Sequence, residues 1–118
     1  MADAMLFVGW GSPVRGRERQ AQSVFQESVS YWGRLQSEGK VESFQVALLA
    51  PHGGDLNGFA VLAGEAEKLD EVRRSEEFQL LLTRANLIVD GLGVVPGVTG
   101  DALAAQMSRG MAQLDELT

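Results

Sequence analysis

At 118 residues with 45% hydrophobic content, the chain is long enough to bury one core and too short for two domains. It has no cysteine and a single histidine, which excludes a disulfide framework and a thiolate metal site and leaves a zinc-type site short of ligands. The 10 Lys and Arg against 16 Asp and Glu give a formal charge of −6, the wrong sign for a phosphate backbone unless the basic residues gather on one face.

The apolar run "MLFVGW" at 5–10, bounded by "GSP", reads as a first strand ending in a turn. Arg15, Arg17 and Arg19, interrupted by Glu18, read as the solvated first turn of the helix that follows. From Arg17 to Ser37 the apolar positions Ala21, Val24, Phe25, Val29, Trp32 and Leu35 recur at helical spacing, with Ser28 in the same stripe and Gly39 placed to end the helix. "VESFQVALLA" at 41–50 and "GFAVLAG" at 58–64 are two strands, apolar on both parities for most of their length. Between them "PHGGDLN" supplies the Pro, Gly, Asp and Asn of a loop longer than a tight hairpin, with His52 at its tip.

"EAEKLDEVRR" and "SEEFQLLLTRAN" form a two-part helix, the second part restarting at Ser75 as N-cap with acids in its first turn. "LIVDGLGVVPG" from Leu87 reads as a fourth strand with an irregular middle, closed by Pro96. A last helix follows Asp101 as N-cap candidate, with Leu103, Met107, Met111, Leu114 and Leu117 on one stripe. No stretch approaches the roughly 18 apolar residues of a membrane span, and the opening "MADAMLFVGWG" lacks a basic leader, so the expectation is a cytoplasmic protein without membrane contact.

The order βαββαβα, as one domain over residues 1–118, is that of an α+β ferredoxin-like sandwich with a C-terminal helix. Its two crossover helices cover one sheet face, yet the strands carry almost no polar residue on either parity. A second subunit is the economical cover for the other face, so a homodimer is expected.

On these residues the chain resembles the dimeric α/β barrel superfamily. The segment "RLQSEGKVESFQVALLAPHGGDLNGFAVLAG", followed by "SEEF", is loosely similar to YCII-related proteins. Ser28 stands near that family's first-helix histidine and Glu76 at its aspartate, so the resemblance implies fold and assembly rather than His-Asp chemistry. Superfamily members include cofactor-free monooxygenases and isomerases, which keeps catalysis without a cofactor as an alternative to plain ligand binding. A structural or interaction domain without a ligand is the third reading.

Among candidate site residues, His52 has the side chain of a general base near neutral pH, with Asp55 the nearest carboxylate in sequence, but a loop tip between Pro and Gly favours a turn role. "GWGSPVRG" at 9–16 has the strand-to-helix context of a phosphate loop, but Val14 stands where a third glycine belongs and Pro13 removes a donor. "NGFAVLA" at 57–63 echoes an RNA-recognition strand only at Gly58, Phe59 and Ala60, and no nucleic-acid partner is expected. The best reading is a pocket for a small apolar or aromatic molecule, anchored by Trp10 and Trp32, with Tyr31, Arg34 and His52 as polar contributors. No metal and no cofactor are expected.

Overall fold

The computed structural model describes residues 2–118. Its elements are β1 (Ala4–Trp10), α1 (Glu18–Ser37), β2 (Ser43–Leu48), β3 (Gly58–Gly64), α2 (Ala66–Arg74), α3 (Glu76–Asn86), β4 (Gly93–Val98) and α4 (Gly100–Leu117). The sheet order is β2-β3-β1-β4 with every neighbouring pair antiparallel, so each β-α-β crossover skips one strand. This is the ferredoxin-like α+β fold.

Register decides what each face carries, because side chains alternate along a strand. Leu6 lies opposite Leu62, and Val8 opposite Ala60. These four, with Ala4, are buried under Val24, Trp32 and Leu35 of α1, Leu69 and Val72 of α2, and Phe78 and Leu81 of α3. The other parity places Met5, Phe7, Phe59, Val61, Ala63 and Val95 on the opposite face, where Phe7 stacks on Phe59 with centroids 5.4 Å apart. Ser43 and Gln45 of β2 are the polar residues of that face, and Val95 is 56% exposed.

Helix ends follow local chemistry. α1 stops where Gly39 takes φ +75, letting Gly39 N–H donate to Gln36 and Lys40 N–H to Leu35. Ser75 caps α3 by accepting from Phe78 N–H at 3.2 Å, and its extended backbone is also what separates α2 from α3.

Three expectations need correction. The fourth strand does not start at Leu87: Leu87–Leu92 turn the chain, Ile88 enters the core, Val89 forms an isolated bridge with Pro13, and pairing with β1 begins only at Gly93. Gly91 at φ +63 is the hinge of that turn. Pro96 does not close the strand but lies inside it, opposite Leu6, which an edge strand permits because its missing N–H faces away from the ladder. Finally, the N-cap position of α4 is Thr99, which makes no side-chain cap bond, Asp101 lies inside the first turn, and none of the helix's residues is buried, so it covers neither face deeply.

Candidate functional site: an apolar cavity under the helices

A cavity of about 740 Å³ opens between the helix-facing side of the sheet and the helices above it. Val8 and Trp10 form its floor, Val24, Phe25, Ser28 and Trp32 of α1 one wall, and Phe78, Leu81 and Leu82 of α3 another. Ile88, Val89 and Leu92, the residues displaced from the fourth strand, close the side, and Leu49, His52 and Asn57 of the β2–β3 loop reach the rim. The cavity's lining is mostly aliphatic and aromatic, with a few polar groups at the edge.

The anchor is Trp10, which ends β1 on the core parity. Its ring meets Phe25 edge-on, with centroids 5.9 Å apart. It lies over Gly58, where a Cβ would meet the ring at 2.9 Å and the Ala47 carbonyl at 2.8 Å. The small residue opposite Trp10 is therefore what lets a large ring lie along the floor. Trp32 is 4% exposed and tilts against Phe44 at 6.4 Å.

At the rim the backbone of 11–14 is knitted to 88–90: Gly11 N–H donates to Asp90 at 2.7 Å, Val14 N–H to Ile88 at 2.8 Å, and Asp90 N–H to Ser12 at 2.9 Å. A Cβ on Gly11 would meet the Asp90 carbonyl at 2.8 Å, so the close approach requires glycine. These bonds consume donors that a phosphate cradle would need, and "GWGSPVRG" works here as a seam. Asn57 adds a clasp, with its N–H donating to Trp10 C=O at 2.8 Å and its amide nitrogen to the Ser12 hydroxyl at 3.2 Å.

His52 is exposed, and both ring nitrogens engage its own loop. Nδ1 accepts from Gly54 N–H at 3.1 Å, which leaves Nε2 to donate to Leu56 C=O at 2.7 Å. The ring's partners are thus backbone groups rather than Asp55, and its one lone pair is already used.

Tyr31 and Arg34 stand apart from the cavity lining. Tyr31 is 6% exposed and packs on Phe78 at 6.4 Å, with the Arg34 guanidinium 5.2 Å above its ring. Arg34 also pairs with Glu77 and, at 3.8 Å, with Glu38. Burial pushes the Tyr31 phenol above its ordinary pKa, and Ser75 and Arg34 pull the other way. The structure thus brings Trp10, Trp32 and His52 to one cavity and assigns Tyr31 and Arg34 to the α1–α3 contact. The walls that single-residue reasoning passed over are Phe78, Leu81 and Ile88, whose apolar character was visible but whose convergence was not.

Among the described residues no group of three or more His, Asp or Glu is arranged to hold a metal ion, and no helix is long and apolar enough to cross a membrane.

No family model and no curated protein matches this sequence. Solved structures do match its backbone. An EthD family protein from Bacillus halodurans aligns with TM-score 0.63 at 11% identity, over 85% of this chain and 100% of its own. A dimeric ferredoxin-like protein of unknown function from Thermobifida fusca gives 0.60 at 11% identity, over 84% and 93%. SnoaB, a cofactor-independent oxygenase from Streptomyces nogalater, gives 0.51 at 18% identity, over 84% and 93%. At these identities the likeness is one of fold, and it places the chain among ferredoxin-like structures that include dimeric proteins and a cofactor-independent oxygenase.

Proposed function

We propose that the chain is a homodimeric protein that binds a small apolar or aromatic molecule in the cavity between the sheet and helices α1 and α3. The observation that carries this reading is the cavity itself: about 740 Å³ of space beneath the helices, where a purely structural domain fills its core with side chains. Trp10 and Trp32 give the aromatic surface, and His52 and Asn57 give polar groups at the rim. Tyr31 and Arg34 support the site from behind by holding α1 against α3.

The homodimer is supported by the second sheet face, where Phe7, Phe59 and Val61 are only partly buried and Val95 is exposed, and by the dimeric state of the Thermobifida fusca neighbour. The YCII-like rhythm of residues 34–64 falls on the end of α1, β2, the rim loop that carries His52 and Asn57, and β3.

A screen of planar aromatic compounds by thermal shift tests the binding reading. A ligand present at 100 times its Kd stabilises the fold by about 2.7 kcal/mol. The stabilisation should disappear in Trp10→Ala, and a panel that shifts neither protein removes the reading. Cofactor-independent oxygenation in the same cavity is the second reading, favoured by the shared fold of SnoaB. Oxygen uptake with a ligand from the screen and no added cofactor tests it.

A further inference from the structure

We infer that the ligand of this cavity carries a hydrogen-bond acceptor, a carbonyl-type oxygen on an otherwise apolar body, and that the indole N–H of Trp32 receives it. The inference rests on the binding reading above and narrows its substrate class. Trp32 is 4% exposed, and its Nε1 is buried with no hydrogen-bond partner among the described residues. Leaving a buried donor unmade costs about 1–3 kcal/mol, and native proteins rarely accept that without a use for the group.

No neighbour satisfies it. Ser28, one helical turn before Trp32, donates to the Val24 carbonyl at 2.7 Å but makes no hydrogen bond to Nε1 with its oxygen, and Phe44, against the ring, has no polar group. Trp32 lines the cavity while its Nε1 is covered, so the inference requires the indole to rotate within its wall as the ligand binds, bringing the N–H to the acceptor. An apolar ligand gives no return for that rotation. A ligand with an acceptor oxygen forms the missing bond away from water, where it is worth more than at the surface. Around Trp32 the wall is Val24, Phe78 and Leu81 with Ser28, whose hydroxyl already donates to the Val24 carbonyl, which leaves the indole N–H as the uncommitted donor of this wall.

Fluorene and 9-fluorenone, flat molecules of nearly equal shape that differ by one carbonyl, test this on the full chain. Affinities for both are measured by calorimetry in the wild type and in Trp32→Phe, which keeps an aromatic ring and removes the N–H. The ratio of fluorenone to fluorene affinity should fall about 10-fold in the variant, the effect of one hydrogen bond of about 1.4 kcal/mol. In the wild type, the Trp32 indole ¹⁵N–¹H resonance, assigned by comparison with Trp10→Phe, should move on adding fluorenone and not fluorene. That measurement does not depend on the variant's stability. If both compounds bind but the ratio and the resonance stay unchanged, the acceptor inference is wrong and the cavity reading stands. If neither compound binds, both are wrong.

Discussion

At the scale of single residues, the decisive quantity is what each side chain's polar atoms already do. His52 illustrates it: an imidazole whose lone pair accepts from Gly54 and whose proton goes to Leu56 is organising a loop. Because the ring is exposed, His52→Ala should change stability by no more than about 0.5 kcal/mol in a denaturant titration. Should turnover be found, a loss of 100-fold in this variant with folding intact would restore the base role. Tyr31 gives a pH prediction. Its folded pKa is raised above the ordinary phenol value by burial. The unfolded phenol therefore ionises first, and the associated stability is present below about pH 10 and is lost as pH rises through the folded value. Tyr31→Phe should flatten the alkaline part of the stability profile, above about pH 10, relative to wild type. Equal slopes in both proteins would count against a buried phenol.

At the scale of elements, two features of the cavity depend on how segments meet. Trp10→Ala removes a half-buried ring from the end of β1, next to space that is already open, so it should cost less than the roughly 3–5 kcal/mol of a fully buried aromatic while abolishing ligand-induced stabilisation. A large loss of stability with binding retained would reassign Trp10 to ordinary core. The seam between 11–14 and 88–90 is tested by Gly11→Ala, whose Cβ meets the backbone oxygens of Asp90 at 2.8 Å and Asp55 at 3.0 Å. Neither contact can give way cheaply, so the variant should lose more than about 1 kcal/mol and loosen the cavity side formed by Ile88 and Val89, visible as faster amide exchange at Val14 and Asp90. The helical stripe of α4 has the opposite character: Met107 and Met111 are 62% and 56% exposed, and nothing in their own chain buries them.

At the scale of the whole molecule, shape and surface point the same way. The radius of gyration is 16.5 Å, against about 13.5 Å for a compact domain of this length, and the longest extent is 55 Å. α4 is about 27 Å long and has no buried residue, its leucines and methionines are exposed, and the outer face of the sheet is also apolar. Parity now separates two neighbouring substitutions. Val61→Lys points away from the helices and should yield a folded monomer by light scattering, whereas Leu62→Lys, at 0% exposure, should prevent folding. A wild-type chain that is monomeric at tens of micromolar would end the dimer proposal.

The amino-acid sequence by itself determined the alternation of strands and helices, because hydrophobic period, glycine and N-cap chemistry act over a few neighbours. α1 and its Gly39 stop, Ser75 at the head of α3, and β1 and β3 were all legible this way. The excess of apolar residues on both parities was also legible, and with it the expectation of a covered second face. Only the tertiary structure decided where the fourth strand begins. Ile88 and Val89 have β-branched chemistry, but they leave the ladder because the core and the Pro13 bridge hold them more favourably than β1 does. The site was decided there too. Trp10, Phe25, Trp32, Phe78 and Ile88 are up to 78 positions apart and look alike one by one, and only packing shows which aromatic rings line space and which fill it. Tyr31 and Trp32 are adjacent in sequence but differ by about 100° around α1, and that rotation sends one to the contact with α3 and the other to the cavity wall.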